Sequence, residues 1–330
     1  VLDKNIGFYD FGHYVDESYL DLTSINSEYN ITYPVTFLKD ALGGMIKSEL
    51  MVIGADSGTG KSEVVNKIAF HNARLGKNVY LFALEGDKYD LINRCRYGYY
   101  IAKIKEEKMR GLYCDYRDFL INKIPGAEYL VEIDEKMKKE LSTLKVYSRE
   151  QDLSIDFFES HLEHIQGVAD LIIIDHLHYF EFAKREYDAI NEIMKRLKKI
   201  QDKYRIPIIL VSHLRKKDKF RIFPDQEDFH GSSNICKQAD TVVIMAHIDM
   251  EQDAENQAVT NVYRTGIRIA KSRTGFSQKM IGIHDYDLET RKYSRQYDLA
   301  ICGANYMNIM TSDKPRWAAH GRFKETESML

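Results

Sequence analysis

Ala55-Asp56-Ser57-Gly58-Thr59-Gly60-Lys61-Ser62 decides how this chain is read. It follows a short apolar run, Glu49-Leu50-Met51-Val52-Ile53, bounded by Gly54. A segment of helical spacing comes after it, from Val64 to Leu75, ending at Gly76. The glycines let the backbone curl so that its N–H groups face phosphate oxygens. The N-terminus of the following helix adds partial positive charge. At this spacing Lys61 reaches the β- and γ-phosphates, and the Ser62 hydroxyl binds Mg2+. Positions 55 to 62 are therefore expected to hold the phosphates of ATP. Ala55 stands where the usual pattern has its first glycine. The alternative is a glycine-rich turn ending in Lys-Ser by chance, and the flanking strand and helix argue against it.

Reading outward, Asn78–Leu84 is a second apolar run, so strand, helix and strand form a βαβ unit and imply a parallel sheet. Upstream, Thr36–Leu42 reads as a brief helix stopped by Gly43-Gly44. Downstream, residues 86–143 are charged and mostly helical in pattern. Leu144–Tyr147 is a short strand candidate and Ile155–Ile165 a helix. Leu171–Asp175 has the continuous apolar character of a strand buried on both faces. Tyr187–Tyr204 is an amphipathic helix, and Ile206–Ser212 and Thr241–Ala246 are further buried strands. Val262–Ala270, Lys279–Asp285 and Lys292–Tyr297 read as β-hairpin material. The fold class is α/β, a P-loop core with a mostly parallel sheet flanked by helices and a C-terminal β-hairpin appendage. Residues 1–33 are expected as an extension or linker, 34–300 as the catalytic domain and 301–330 as a tail.

Composition narrows the function classes. The 330 residues carry 47 Lys and Arg against 50 Asp and Glu, a formal net charge of −3, and 44% are hydrophobic. Disorder throughout is excluded by that apolar content. The longest apolar runs fall far short of the roughly 18 residues a membrane helix needs. The first residues do not resemble a signal peptide. Four cysteines with no CxxC spacing argue against a zinc site or a disulfide framework and fit a reducing cytoplasm. Proteins that coat nucleic acid are often strongly basic. A near-neutral chain that binds one must concentrate its basic residues in a patch or loop.

A phosphate loop needs an acid for Mg2+ and a group to position water. Asp175, closing the run Leu171–Ile174, is the candidate for the metal side; an ordinary strand-end Asp is the alternative. His176 follows it, where AAA+ ATPases place a Glu, so the catalytic carboxylate must come from elsewhere. Glu85 ends the strand after the phosphate-loop helix. Parallel strands present their C-terminal ends to ligand, which favours Glu85 as the water activator over a merely solvated residue. His213 ends Ile206–Ser212 and is positioned to contact the γ-phosphate. The histidines of His176-Leu177-His178 and His161-Leu162-Glu163-His164 match no zinc spacing and are expected to be solvated or packed.

Taken in order, Gly43-Gly44, Glu49-Leu50, ADSGTGKS, YLFALE, LIIIDHLHYF, PIILVSHLRK, GSSNICKQADTVVIM and IRIAKSR resemble the RecA-like motor domain of DnaB-type replicative helicases. That group also holds the phage primase-helicases and the mitochondrial helicase Twinkle. The likeness runs over about residues 35–296. It implies an ATP-hydrolysing, 5′-to-3′ single-stranded DNA translocase working as a hexameric ring in a replisome, with a primase, loader or polymerase as further partners. Ala55 matches the Ala that opens the loop in many members. Glu85 falls at the catalytic Glu, Asp175 at the Mg2+-side acid and His213 at the γ-phosphate sensor. His178 lies where bacterial members often have Gln. Lys271 and Arg273 match the lysine and arginine finger that act on the neighbouring subunit's nucleotide, so no subunit would complete its own site.

The resemblance also implies a nucleic-acid surface. Arg215, Lys216, Lys217, Lys219 and Arg221 follow the sensor strand, where the family puts a pore loop; a solvated surface loop is the alternative. Asp228-Phe229-His230-Gly231-Ser232-Ser233 matches the family's Asp-Leu-Arg-Gly-Ser-Gly. His230 replaces the Arg and is mostly uncharged at neutral pH, while the backbone N–H groups of Gly231 and Ser232 remain able to bind phosphate. No primase or zinc-binding segment precedes the motor, and 33 residues are too few for a helical collar. They are expected to pack on a neighbouring subunit, or the chain is part of a longer protein. Two other classes compete: a RecA/KaiC-like regulatory or recombination ATPase, opposed by the Lys-Ser-Arg placement, and a small-molecule kinase, for which no Arg-rich lid is visible.

Overall fold

A computed structural model describes residues 30–86, 88–148, 153–180, 186–215, 223–230, 234–248, 262–273, 280–302 and 307–310. The elements, in chain order, begin with β1 (Ile31–Thr32), α1 (Thr36–Leu42), β2 (Gly44–Met45), β3 (Leu50–Ala55) and α2 (Lys61–Arg74). Next come β4 (Val79–Ala83), α3 (Lys88–Glu106), α4 (Tyr116–Leu120), α5 (Leu130–Glu140), β5 (Leu144–Ser148), α6 (Ile155–Ile165) and β6 (Leu171–Asp175). Then follow α7 (Glu186–Tyr204), β7 (Ile208–His213), α8 (Asn234–Gln238), β8 (Thr241–His247), β9 (Val262–Ser272), β10 (Met280–Asp287), β11 (Lys292–Tyr293), β12 (Asp298–Cys302) and β13 (Met307–Met310).

One sheet carries the fold, in the order β13-β12-β10-β9-β8-β3-β7-β6-β4-β5, with β11 on β10. From β5 to β8 every pairing is parallel; from β8 to β13 every pairing is antiparallel. Strand alternation sorts the apolar runs into two cores. Leu50, Val52, Ile172, Ile174, Ile208 and Leu210 face Ile190, Ile193, Met194 and Leu197 of α7. Met51, Ile53, Leu171, Ile173, Ile209 and Val211 face Val64, Val65, Ile68 and Ala69 of α2. Each such side chain is essentially fully buried and contributes about 1.5–3 kcal/mol relative to exposure. Burial on both faces explains why the strands read as unbroken apolar runs.

Gly54 continues the first of these faces. A Cβ there would lie 2.4 Å from the Phe229 ring and 3.0 Å from Leu214. The bare backbone lets Phe229 cover the strand just before the phosphate loop.

Three segments depart from the sequence reading. Residues 31–32, expected in the extension, pair with 44–45. The buried Asn72 side chain clamps them: its Oδ1 accepts the Thr32 N–H at 3.0 Å and its Nδ2 donates to the Thr32 carbonyl at 2.9 Å. β12 and β13 extend the sheet into residues expected as a tail. Their short length hid the alternation, and pairing to β10 supplies the stability a lone strand lacks. Finally, the insert between β4 and β5 builds a third core from Cys95, Tyr97, Tyr100, Ile101, Ile104, Phe119 and Ile133. The Tyr97 hydroxyl donates to the Glu289 carbonyl, and the Arg291 guanidinium stacks on Tyr116. This packing replaces the solvated helical lid that its charge suggested.

Candidate active site

The phosphate loop joins β3 to α2 as expected. Gly58 and Gly60 both take positive φ, 81° and 92°, the left-handed conformation that a side chain disfavours. Gly60 caps α2, and its carbonyl accepts the Val64 N–H at 3.1 Å. Lys61 is buried, 5% exposed, and its Nζ donates to the carbonyls of Ala55 and Asp56 at 3.0 and 2.8 Å. Burial pushes its pKa down, against the pull of Glu85, Asp175 and Asp56. A cation held on carbonyl oxygens is ready to exchange them for phosphate oxygens, which carry full negative charge.

Sheet register delivers the other groups. β4 pairs with β6 so that Ala83 faces Asp175, and β3 pairs with β7 so that Ala55 faces His213. The Asp175 carbonyl accepts the N–H groups of Leu84 and Glu85 at 2.7 and 3.2 Å, which fixes the start of the Glu85 backbone. Asp175 itself is 4% exposed. Burial raises its carboxyl to about 6, offset in part by a hydrogen bond from Ser62. Its Oδ1 is buried with no hydrogen-bond partner. A buried carboxylate oxygen left unsatisfied, beside the Ser62 hydroxyl, fits a hard cation with oxygen ligands.

Around this carboxylate the fold gathers four histidines that the sequence did not connect. The His176 ring centroid lies 4.2 Å from that of His213 and 5.5 Å from that of His178; His178 lies 5.4 Å from His230. The Asp175–His176 peptide bond is cis. Burial first, then neighbouring cationic groups, holds His176 down to about 3 and His178 to about 4. His213 is lowered as well, by burial and by Lys61. His161 and His164 sit elsewhere, on α6.

Glu85, His176 and His213 bring ligand-type atoms within 4.8 Å of one another. The His178 N–H donates to His176 Nδ1 at 3.2 Å. A neutral imidazole that accepts at Nδ1 carries its proton on Nε2. The nitrogen facing Glu85 is thus a donor, and the trio is a hydrogen-bonding group rather than a ready metal site.

Two expected site residues lie apart from this cluster. Met51 faces Thr241, and Thr241 faces Ser272, so Ser272 is level with the start of β3. Met51 is four residues before Ala55, about 13 Å along a strand. Lys271 and Arg273 flank Ser272 at that far end. Lys271 Nζ donates to the carbonyls of Cys236 and Ala239 at 2.7 and 2.6 Å. Arg273 pairs with Asp240 at 2.9 Å and remains 54% exposed.

The basic run leaves and re-enters beside His213. Leu214 bridges Phe229, the Arg215 N–H donates to the Asp228 carbonyl at 2.6 Å, and the His230 N–H donates to the His213 carbonyl at 3.1 Å. Arg215 is exposed at this neck. Lys216, Lys217, Lys219, Arg221, Gly231 and Ser232 lie outside the described residues.

No described helix is long and apolar enough to cross a membrane. A family model, the DnaB-like helicase C terminal domain, matches residues 31–295. Among solved structures, the chain is similar to an isolated ATPase domain, with a TM-score of 0.67 and 18% identity over 88% of this chain and 99% of that one. It is also similar to a DnaB-like replicative helicase studied for its interactions with primase, with a TM-score of 0.67 and 18% identity over 86% of this chain and 68% of that one. No curated protein matches the chain.

Proposed function

The chain belongs to the DnaB-like helicase C-terminal domain family, which makes it an ATP-hydrolysing helicase motor, and from that premise we propose that it hydrolyses ATP between subunits of a ring and moves 5′ to 3′ along single-stranded DNA. The observation that carries the shared site is the separation of Arg273 from its own phosphate loop. A finger about 13 Å away along the sheet does its work on a neighbour's nucleotide. Its exposure leaves it free to do so.

Roles follow from position. Backbone N–H groups of positions 55–61 cradle the phosphates, and Lys61 neutralises the β- and γ-oxygens. Glu85 takes the proton of the attacking water as its oxygen bonds to the γ-phosphorus and the β–γ bridging oxygen leaves. His213 contacts the γ-phosphate from β7. Lys271 and Arg273 of the adjoining subunit stabilise charge as the bond breaks. Ser62 and Asp175 would hold Mg2+, which when bound neutralises charge on the β- and γ-oxygens. Arg215 at the neck, with Lys216, Lys217, Lys219 and Arg221 beyond it, supplies the cations for DNA phosphates. His230, Gly231 and Ser232 form the second nucleic-acid segment.

Steady-state ATPase with and without single-stranded DNA tests the reading, with Lys61→Ala as the blank. Stimulation by DNA, lost in Arg273→Ala and restored on mixing that variant with Lys61→Ala, is expected. An ATPase indifferent to single strands would remove the translocase. Failure of the mixed rings to recover would remove the shared site. Unwinding of forks with only a 5′ or only a 3′ tail checks the direction.

A further inference from the structure

His176 is buried where Glu85 is open: 3% against 41% of the side chain is exposed. A base that activates water must be held at one position, and an exposed glutamate side chain has several rotamers to choose from. Glu85 Oε2 lies 3.6 Å from His176 Nε2. That nitrogen is buried and has no hydrogen-bond partner. Because Nδ1 accepts from the His178 backbone, Nε2 bears the proton. The ring itself cannot drift: His213 packs edge-on at 4.2 Å, Tyr179 at 4.6 Å and His178 at 5.5 Å. The donor is therefore fixed and the acceptor mobile. The 3.6 Å gap exceeds hydrogen-bond length, and rotation of the exposed carboxylate closes it. Catalytic hydrogen bonds are often long before substrate arrives.

We propose that His176 is the positioning residue for Glu85: its buried Nε2–H donates to the carboxylate and fixes it for the attacking water. This rests on the assignment of Glu85 as the base. The donor leaves the second carboxylate oxygen free to take the water proton. Burial beside His213, His178 and Lys61 keeps the imidazole neutral, so it orients Glu85 without forming a full ion pair that would weaken it as a base.

Turnover number and KM for ATP, measured on the assembled protein with single-stranded DNA, test the proposal. His176→Phe is expected to lower kcat about tenfold, a fraction of what full removal of a base costs, with KM within about twofold. His176→Gln, whose amide nitrogen can reach the Nε2 position, recovers most of kcat; His176→Asn, one methylene shorter, does not. In the Glu85→Gln background His176→Phe has no further effect, because the two act as a unit. If Phe does not fold, judged by its unfolding temperature, the Gln and Asn pair decides. Equal losses in Gln and Asn, or a full additional loss on top of Glu85→Gln, overturn the proposal and leave His176 a packing residue. Wild-type turnover in Glu85→Gln overturns the base assignment itself, and this inference with it, whatever His176→Phe does.

Discussion

The two ends of the central sheet hold their charges in opposite ways. At the C-terminal end of the parallel strands, Asp175 is buried with an unsatisfied oxygen, Lys61 rests on carbonyls, and neutral histidines crowd a carboxylate. At the other end, Asp240 accepts the Leu50 N–H at 2.9 Å and pairs with Lys198 at 3.0 Å and Arg273 at 2.9 Å. Glu49 beside it accepts from Thr241 and from the Ile46 N–H. The far end has complete polar partners; the near end has been left incomplete. Natural folds satisfy buried polar groups as a rule, so the incomplete end marks where something binds.

Arg273→Ala cuts most sharply into that contrast, because it makes a far-end residue matter to a near-end reaction. Turnover should fall by about 10³-fold, the range of a trans-acting arginine, while binding of a fluorescent ATP analogue is retained. Unchanged turnover would reduce Arg273 to a partner of Asp240. Asp240→Ala comes next. It strands the Leu50 N–H and Lys198, and should cost about 3 kcal/mol in denaturant unfolding.

Asp175→Asn should do the reverse. Removing a carboxylate whose pKa burial has raised to about 6 should stabilise the nucleotide-free fold by about 1–2 kcal/mol at pH 7, while abolishing turnover. Loss of stability in both Asp variants would erase the distinction between the two ends.

Acidification gives the smallest effect. An unfolded chain takes up histidine protons near 6.5, whereas His176 and His178 refuse them until about 3 and about 4. Stability is therefore lost as pH falls from about 6.5 towards 4. Asp175 opposes this, since its folded carboxyl accepts a proton already near 6. Two histidines outweigh one carboxyl, and a net loss of about 1 kcal/mol by pH 5 is expected. Unfolding temperatures at pH 7 and 5 should differ less in a His176→Phe/His178→Leu double variant than in the wild type.

The sequence showed one end of this contrast better than the other. The phosphate loop, Asp175 and Glu85 were legible because each closes an apolar run, and parallel strand ends converge on ligand. The parallel core was legible for the same reason. The histidine group was not: His176, His178, His213 and His230 lie on three separate segments, and only the β3–β7 and β4–β6 registers bring them together. The Asp240 network was equally hidden, since Leu50 and Asp240 are 190 positions apart. The third core was masked by its own charge, its tyrosines being spread among lysines and glutamates. The strands β12 and β13 were too short to announce a period.

The pinned neck between Leu214 and Phe229 has a meaning for how such a machine changes over generations. Its closure is made by backbone hydrogen bonds and the Phe229 ring over Gly54, none of which depends on what the intervening residues are. The entropy of closing a loop grows only with the logarithm of its length. Length and charge between the stems can thus be rewritten cheaply, and the engine can be refitted to a different polymer without retooling the chemistry that drives it.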